Sequence, residues 1–264
     1  MARGCSLGGR VDHVYVASIT YIVCDLHARR RVSLSSVFGI ARFSRGPRSS
    51  RRNITGLEAS NNATSGYLGA GYAFGKGLYQ PGWRLRAVGA LGRYDYRGTL
   101  FGSGADLSST LDGEASYGAA LIGYQFRTQA LFLKLFAGVE AEDQNITPRD
   151  PENSVQGSAV GLKLAAESWL DLSPLWFLSV DASYGTAFQQ YWSLARLGHR
   201  LGPRFSVGVE GGALGNEEYN AGRGGGFLKA NLRAVEITLS GGFTGNYLED
   251  EPSGYVSLGV YRAF

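Results

Sequence analysis

The sequence predicts an all-β fold, specifically a transmembrane, antiparallel, up-and-down β-barrel of about 12 strands. Apolar and polar residues alternate along one segment after another, which is typical of strands that separate two environments. Gly occurs 39 times and aromatic residues make up 12% of the chain, yet no apolar run approaches the ~20 residues of a membrane helix. The third observation is the final segment, an apolar strand that ends on Phe264.

That final segment, 253–264, is expected to close the barrel. In an extended chain Val256 and Leu258 face one side and Ser257 and Gly259 face the other, because side chains alternate with a period of two. A soluble protein rarely ends on such a strand, since the unpaired edge would associate with other chains. A closed barrel can, because its last strand pairs with its first. We therefore expect segment 253–264 to pair with 53–59.

Phe264 is the predicted assembly signal, the residue that the barrel assembly machinery reads at the end of the closing strand. Many barrels carry an aromatic residue two positions before the last, where this chain has Arg262. The long Arg262 side chain can extend to the lipid headgroups at modest cost near the membrane boundary. We expect loss of Phe264 to impair assembly more than any substitution inside the barrel.

The first 52 residues differ in composition from the rest and define a basic segment, 1–52, ahead of a barrel domain, 53–264. Of the 26 Lys and Arg residues, ten lie in 1–52 beside two Asp, which leaves 16 against 20 acidic residues in the domain. The net charge of +4 therefore does not indicate a nucleic-acid-binding domain. We interpret 1–52 as unstructured, either a degenerate export signal or the product of a start assigned too far upstream; a genuine disordered basic arm is the alternative.

Twelve segments of the barrel domain show a strand pattern, and an even number is what bacterial single-chain barrels have. Turn residues such as Asn, Gly, Pro and Ser bound them. In the third segment Trp83, Leu85 and Leu91 oppose Arg84 and Arg86. In order, the predicted strands are 53–59, 65–74, 82–96, 111–126, 129–141, 155–172, 175–187, 190–201, 204–214, 218–231, 233–244 and 253–264.

The same opposition of apolar and polar faces recurs further along the chain. It is clearest in the fifth segment (Leu131, Leu133, Leu135 and Val139 against Lys134 and Glu140), the sixth (Val160, Leu162, Leu164 and Leu170 against Lys163, Glu167 and Asp171), the seventh (Trp176, Leu178, Val180 and Tyr184 against Ser179, Asp181 and Ser183) and the eleventh (Val235, Ile237 and Leu239 against Glu236, Thr238 and Ser240). A soluble β-sandwich would show similar alternation and stays open as an alternative at this point.

The connections between the predicted strands alternate in length. Short turns are expected at 127–128, 173–174 and 202–203, and longer loops at 98–110, 142–153 and 246–252. Bacterial outer-membrane barrels show this asymmetry, with short periplasmic turns and longer outer loops.

The polar faces supply the candidate lumen-lining residues. These charged side chains could line a pore or contact sugar hydroxyls; alternatively, opposite charges on neighbouring strands neutralise one another and fill a narrow lumen. The candidates are Arg84, Arg86, Lys134, Glu140, Lys163, Glu167, Asp171, Asp181, Glu210, Arg223 and Glu236.

Catalytic and metal chemistry have little support in the sequence. Barrel acyl hydrolases place a His and a Ser two positions apart on one strand, so that the imidazole activates the hydroxyl. Only one of the three histidines, His199, lies in the barrel domain, and no Ser occupies either position two residues from it. Both cysteines, Cys5 and Cys24, lie in 1–52. We therefore predict no catalytic residue, no metal site and no cofactor.

Two further patterns have plain structural explanations. The glycine run at 222–227 is similar to an RGG segment, but glycines in an alternating strand more commonly permit a bend, so no nucleic-acid partner is predicted. The acidic stretches at 140–150 and 249–251 carry enough carboxylates for a Ca²⁺ hypothesis. Solvated outer loops that bridge to lipopolysaccharide cations explain them equally well.

From about residue 55 to the end, the chain resembles the family of cellulose biosynthesis protein BcsS, alphaproteobacterial outer-membrane proteins. Each matching piece is a generic strand or turn, so the order of the pieces is the specific part. The pieces are Gly56–Ala59, Gly66–Phe74, Gly123–Phe126, Asp150-Pro151, Val155–Ser158, Ser183–Phe188, Tyr191-Trp192 and Gly208–Asn216.

The resemblance implies an outer-membrane protein of a Gram-negative bacterium that accompanies cellulose biosynthesis, and it brings no catalytic residues. The expected function is a passive channel or a docking site for exopolysaccharide. The expected partners are outer-membrane lipids, cellulose or other cellulose-synthase components, and the barrel assembly machinery. The alternatives are an outer-membrane enzyme acting on lipid or glycan, and a general porin-like protein unrelated to cellulose.

Overall fold

Twelve antiparallel strands close into a barrel in the computed structural model, which describes residues 50–75, 77–102, 105–232 and 235–264. Each strand pairs with the next in sequence. The predicted fold class is confirmed. The strands are β1 (Arg51–Ser60), β2 (Ala63–Ala73), β3 (Gly82–Gly102), β4 (Ala105–Arg127), β5 (Leu131–Thr147), β6 (Gly157–Asp171), β7 (Trp176–Gly185), β8 (Tyr191–Arg200), β9 (Phe205–Gly215), β10 (Asn220–Leu232), β11 (Val235–Asn246) and β12 (Glu249–Ala263).

The barrel closes between β1 and β12, as the terminal segment predicts. Asn53 lies opposite Arg262 and Leu57 lies opposite Leu258. The Phe264 N–H donates a hydrogen bond to the Arg51 carbonyl at 2.9 Å, so the pairing reaches the last residue. The first 49 residues of the predicted basic segment lie outside the described residues, whereas its last two residues belong to β1.

The distribution of side chains is the reverse of that in a soluble protein. Leu91 is 68% exposed and Val160 is 80% exposed on the outer surface, whereas Lys229 and Gln125 are 0% exposed inside. An apolar outer band around a polar interior is the arrangement of a barrel that crosses a membrane. The soluble β-sandwich alternative is therefore wrong. No helix among the described residues combines the length and apolarity needed to span a membrane.

Three of the predicted loops are shorter than expected because the strands continue into them. Residues 98–102 pair with 105–109, so the predicted loop at 98–110 is wrong: β3 and β4 form a long hairpin there. The polar, Gly- and Ser-rich sequence lacks the apolar alternation of a strand and therefore looked like a loop. The segment is nevertheless a hairpin because its backbone N–H and C=O groups hydrogen-bond to each other. Likewise β5 continues to Thr147 within the predicted loop 142–153, and β12 begins at Glu249 within the predicted loop 246–252.

The connections divide between two ends of the barrel. The terminal end holds Arg51, Phe264 and the connections 74–81, 128–130, 172–175 and 201–204. The opposite end, here called the loop end, holds the connections 61–62, 148–156, 186–190, 216–219 and 247–248. A one-turn 3₁₀ helix, Ala187–Gln189, lies in one of these connections and packs inward.

Candidate functional site

The candidate lumen residues all occupy inward positions of their strands. Ten of the eleven are buried: Arg84, Arg86, Lys134, Glu140, Lys163, Glu167, Asp181, Glu210, Arg223 and Glu236. The eleventh, Asp171, is half-buried near the terminal end, where it binds the Arg200 guanidinium and accepts a hydrogen bond from the Trp169 indole at 3.1 Å. The structure brings the ten buried residues together in separate groups.

Glu167 on β6 is the centre of the largest group. Arg52 on β1 donates to both of its carboxylate oxygens at 3.2 Å, in a bidentate pair. Arg86 on β3 donates at 2.8 Å and Lys134 on β5 at 2.9 Å. All four side chains are at most 5% exposed. One carboxylate therefore holds three cations from strands on both sides of the interior, and charge-assisted bonds of this kind are strong only while both partners remain.

Asp181 lies directly opposite Glu167 in the pairing of β6 with β7. It is 1% exposed, and neither of its carboxylate oxygens has a hydrogen-bond partner among the described residues. The hydroxyls of Ser179 and Ser183, on the same face of β7, also have no hydrogen-bond partner among the described residues. Asp181 therefore lies beside the Glu167 group, in which three cations surround one carboxylate, without a hydrogen bond to it.

Glu140 on β5 organises a second group nearer the loop end. Its carboxylate binds the Lys163 ammonium at 3.0 Å and accepts hydrogen bonds from the Tyr117 hydroxyl at 3.0 Å and the Ala187 N–H at 3.2 Å. Glu140 thus ties the inward-packed 3₁₀ turn to the barrel wall. Gly185 makes room for it, since a Cβ there would lie 1.9 Å from a Glu140 oxygen.

A third group joins β1, β8, β9, β10 and β12. Glu210 binds the Arg196 guanidinium at 2.7 Å and accepts a hydrogen bond from the Tyr255 hydroxyl at 2.6 Å. Arg223 lies over the Tyr255 ring, 4.0 Å from its centroid, and forms a bidentate pair with Glu58 at 3.1 Å. Pairing of both cations with carboxylates makes their burial tolerable.

The interior near the terminal end is aromatic. The rings of Trp169 and Phe177 stack with centroids 4.1 Å apart, and Phe227 packs against Phe177 from β10. The Lys229 ammonium lies 5.2 Å from the Trp169 ring and pairs with Glu236 at 3.0 Å. Side chains from β6, β7 and β10 therefore meet across the barrel.

Arg84 is held by carbonyl groups of the connection that precedes its strand. Its guanidinium donates to the carbonyls of Gly77 and Leu78 at 3.2 Å and also to that of Gln80. Gln125 donates to the Leu78 carbonyl at 3.1 Å. Leu78 itself is 4% exposed, so the chain at 77–80 fills part of the terminal-end mouth.

A layer of buried tyrosines lies at the loop end. The Tyr247 ring lies 4.5 Å from that of Tyr94 and 4.9 Å from that of Tyr219, and Trp192 belongs to the same cluster. Burial, reinforced by nearby Tyr191, raises the pKa of Tyr219 to about 12, and burial likewise raises the pKa of Tyr247. Both phenols remain protonated at neutral pH. The Tyr219 hydroxyl donates to the Gly245 carbonyl at 2.9 Å, and the Tyr247 hydroxyl accepts a hydrogen bond from the Asn216 side-chain amide at 3.1 Å.

A family model described as "Cellulose biosynthesis protein BcsS" matches residues 54–264, the whole barrel except its first three residues. The chain belongs to this family. A comparison with curated proteins found no match.

Solved membrane barrels are similar to this BcsS-family chain in outline. The KdgM porin in complex with disordered oligogalacturonate has a TM-score of 0.46 at 9% identity, over 81% of this chain and 99% of that one. The transport unit of the autotransporter AIDA-I from Escherichia coli has a TM-score of 0.48 at 10% identity, over 87% and 94%. Outer membrane phospholipase A from Escherichia coli has a TM-score of 0.42 at 13% identity, over 81% and 92%.

His199 of the BcsS-family barrel lies on the outward side of β8 near the terminal end. Its ring contacts that of Trp176, with centroids 4.7 Å apart, and Trp176 is its cross-strand neighbour. Such a pair is typical of the aromatic girdle at a membrane boundary.

Sequence reasoning missed further charged residues of the interior. Among the described residues they include Arg52, Glu58, Glu142, Arg196 and Lys229. Arg52 was assigned to the basic segment, although its spacing from Ile54 continues the alternation of β1. Arg196 and Lys229 share their inward faces with Leu194 and Phe227, so those faces do not look polar in the sequence.

Proposed function

We propose that this BcsS-family barrel resides in the outer membrane of a Gram-negative bacterium and docks the cellulose glucan at the cell surface. The observation that carries the docking version over the channel version is the bridging of the interior. Arg52 on β1 reaches Glu167 on β6, and Lys229 on β10 reaches Trp169 on β6. Strands on opposite sides of a 12-stranded wall are thus joined by side chains.

The outer-membrane location rests on the wall itself. Outward-facing residues such as Leu68, Leu162 and Phe243 are more than 60% exposed and would be costly in water as a continuous band. A closed barrel also leaves no backbone group unpaired in hydrocarbon, which is the condition for crossing a membrane with strands. We place the terminal end on the periplasmic side because the long β3–β4 hairpin and the 148–156 connection make the loop end the more extended one, as on the outer side of bacterial barrels.

The glucan as ligand rests on family membership together with the closed interior. The family description ties the chain to cellulose biosynthesis. If the interior is filled, contact with the polysaccharide falls to the surface that faces it outside the membrane, which is the loop end. Carboxylate, amide and tyrosine groups at that end suit the hydroxyls of a neutral sugar chain.

The proposed role involves no catalysis. The interior carboxylates of Glu140, Glu167 and Glu210 are each tied to cations, and His199 lies on the outer wall. A screen of the purified barrel for lipase and glucanase activity tests this. Turnover that is lost on His199→Ala would establish the enzyme alternative.

Cosedimentation with cellulose tests the docking function directly. Proteoliposomes that carry the full-length protein should sediment with microcrystalline cellulose, and soluble cello-oligosaccharides should release them. Protein-free liposomes and an equal mass of cross-linked dextran serve as controls for trapping. Absence of cellulose-specific sedimentation by correctly folded barrels would contradict the proposal.

A further inference from the structure

A cleft of about 500 Å³ lies at the loop end, between the β9–β10 connection and the β11–β12 connection. Its volume is within the range of small-molecule sites, roughly 300 to 1,000 Å³. The residues that give it chemical character are Glu218, Tyr219, Asn220, Leu248, Glu251 and Pro252.

The walls of the cleft are fixed by hydrogen bonds. The Tyr219 hydroxyl donates to the Gly245 carbonyl at 2.9 Å and so ties one wall to the other. Glu218 accepts from the Ser154 N–H at 2.9 Å, which anchors that wall to the β5–β6 connection. A site that is already ordered loses little conformational entropy when a ligand binds.

The polar groups of the cleft are suited to a neutral ligand that carries hydroxyls. Glu218 and Glu251 are acceptors, and the lining contains neither Lys nor Arg among the described residues. A phosphate or an anionic sugar would therefore be repelled. The side-chain oxygen of Asn220 accepts a hydrogen bond from the Tyr191 hydroxyl at 2.6 Å. The N–H groups of the same side-chain amide remain to donate to a ligand.

The remaining lining residues offer an apolar contact. Leu248 and Pro252 flank the carboxylates, and the C–H face of a sugar ring packs well on such a surface. Leu248 has φ +53°, a conformation in which Gly or Asn is usual in a two-residue connection. The chain thus keeps a strained leucine where glycine would fit more easily.

We propose that this cleft is a subsite for a short segment of a neutral β-glucan. Glu218, Asn220 and Glu251 bind sugar hydroxyls, and Leu248 with Pro252 receives one ring face. The assignment rests on the docking function and names the part of the loop end that performs it. Within the described residues, no group of three or more His, Cys, Asp or Glu is arranged to hold a metal.

Titration of the full-length barrel in detergent with cellohexaose tests the assignment. We expect Asn220→Ala to weaken binding at least about fivefold, since it removes one hydrogen bond to the sugar. We expect a similar loss for Glu251→Gln, because a neutral amide oxygen replaces the charged acceptor. Glu152 is an exposed carboxylate of the neighbouring 148–156 connection and serves as the control. The Glu152→Gln variant should bind cellohexaose as the unmodified protein does.

Leu248→Gly separates binding from folding. The substitution relieves the backbone at φ +53° but removes a side chain that packs against the tyrosine cluster, so the urea midpoint for unfolding should change little, whereas cellohexaose affinity should fall about fivefold. A purely structural role of Leu248 predicts a change in stability with unchanged affinity, and that result would overturn the subsite.

The outcomes also separate the subsite from the docking function. If the cleft variants bind cellohexaose as tightly as the unmodified protein and still sediment with cellulose, the subsite is overturned and the docking function stands. Absence of any cellohexaose binding and of sedimentation overturns both proposals. Binding that disappears with EDTA would replace the sugar assignment by a cation-dependent one.

Discussion

Replacing Glu167 by alanine leaves Arg52, Arg86 and Lys134 inside the barrel without the carboxylate that they share. The four contacts measure 3.2, 3.2, 2.8 and 2.9 Å. Removal of one partner from a buried ion pair lowers the free energy of unfolding by about 3–5 kcal/mol, because a charge remains uncompensated. Since three cations lose their partner, we expect a loss of about 4 kcal/mol or more for Glu167→Ala.

Urea unfolding of the barrel in lipid vesicles, followed by tryptophan fluorescence, measures this loss. Glu114→Ala is the matched control, because its pair with Arg93 spans a similar 2.9 Å but the side chains are 58% and 71% exposed. We expect at most about 1 kcal/mol there. Glu167→Gln, which keeps the volume, extends the comparison if the alanine variant does not fold. Equal losses for the buried and exposed pairs would refute the view that the interior network stabilises the barrel.

Three further predictions probe the wall, two by paired substitutions and one by a deletion. Leu164→Arg, in the middle of β6, should cost about 2–4 kcal/mol of unfolding free energy in vesicles, whereas Leu201→Arg at the terminal end should cost about 0–1; equal costs would contradict the lipid-facing assignment. Gly138→Ala should cost about 1–3 kcal/mol, because its Cβ would lie 2.1 Å from a carbonyl of β4, while Gly118→Ala has open space and should change urea midpoints little. Deletion of Phe264 should reduce heat-modifiable barrel in membrane fractions; a normal amount would argue against the terminal residue as an assembly signal.

Much of the fold was predictable because a membrane strand faces lipid on one side and the barrel interior on the other along its whole length. The alternation in β5, where Leu135 and Val139 face out and Lys134 and Glu140 face in, is visible without any tertiary information. The closure of β12 on β1 followed from the apolar last strand. The hairpin at 98–110 was not predictable in this way, since its sequence resembles a loop and only cross-strand pairing reveals it.

The candidate site was predictable as a face but not as a set of contacts. Alternation places Glu167 and Lys134 inside the barrel, yet it cannot show that Arg52 reaches Glu167 over 115 residues of sequence. It also does not distinguish an aqueous lumen from a filled one, because both need polar inward residues. Arg196, with leucine two positions before it and glycine two after, shows why a mixed inward face escapes detection.

Single-protein conductance in a planar lipid bilayer is the most direct test of the filled interior on which the docking function depends. The protein is added after its folding has been verified by heat-modifiable migration, and insertion is monitored with a fluorescent label. With Glu167, Lys229 and the aromatic layers in place, we expect inserted barrels to show no stable conductance steps. Reproducible ohmic steps that cello-oligosaccharides block would contradict the account and establish an open passage for the glucan.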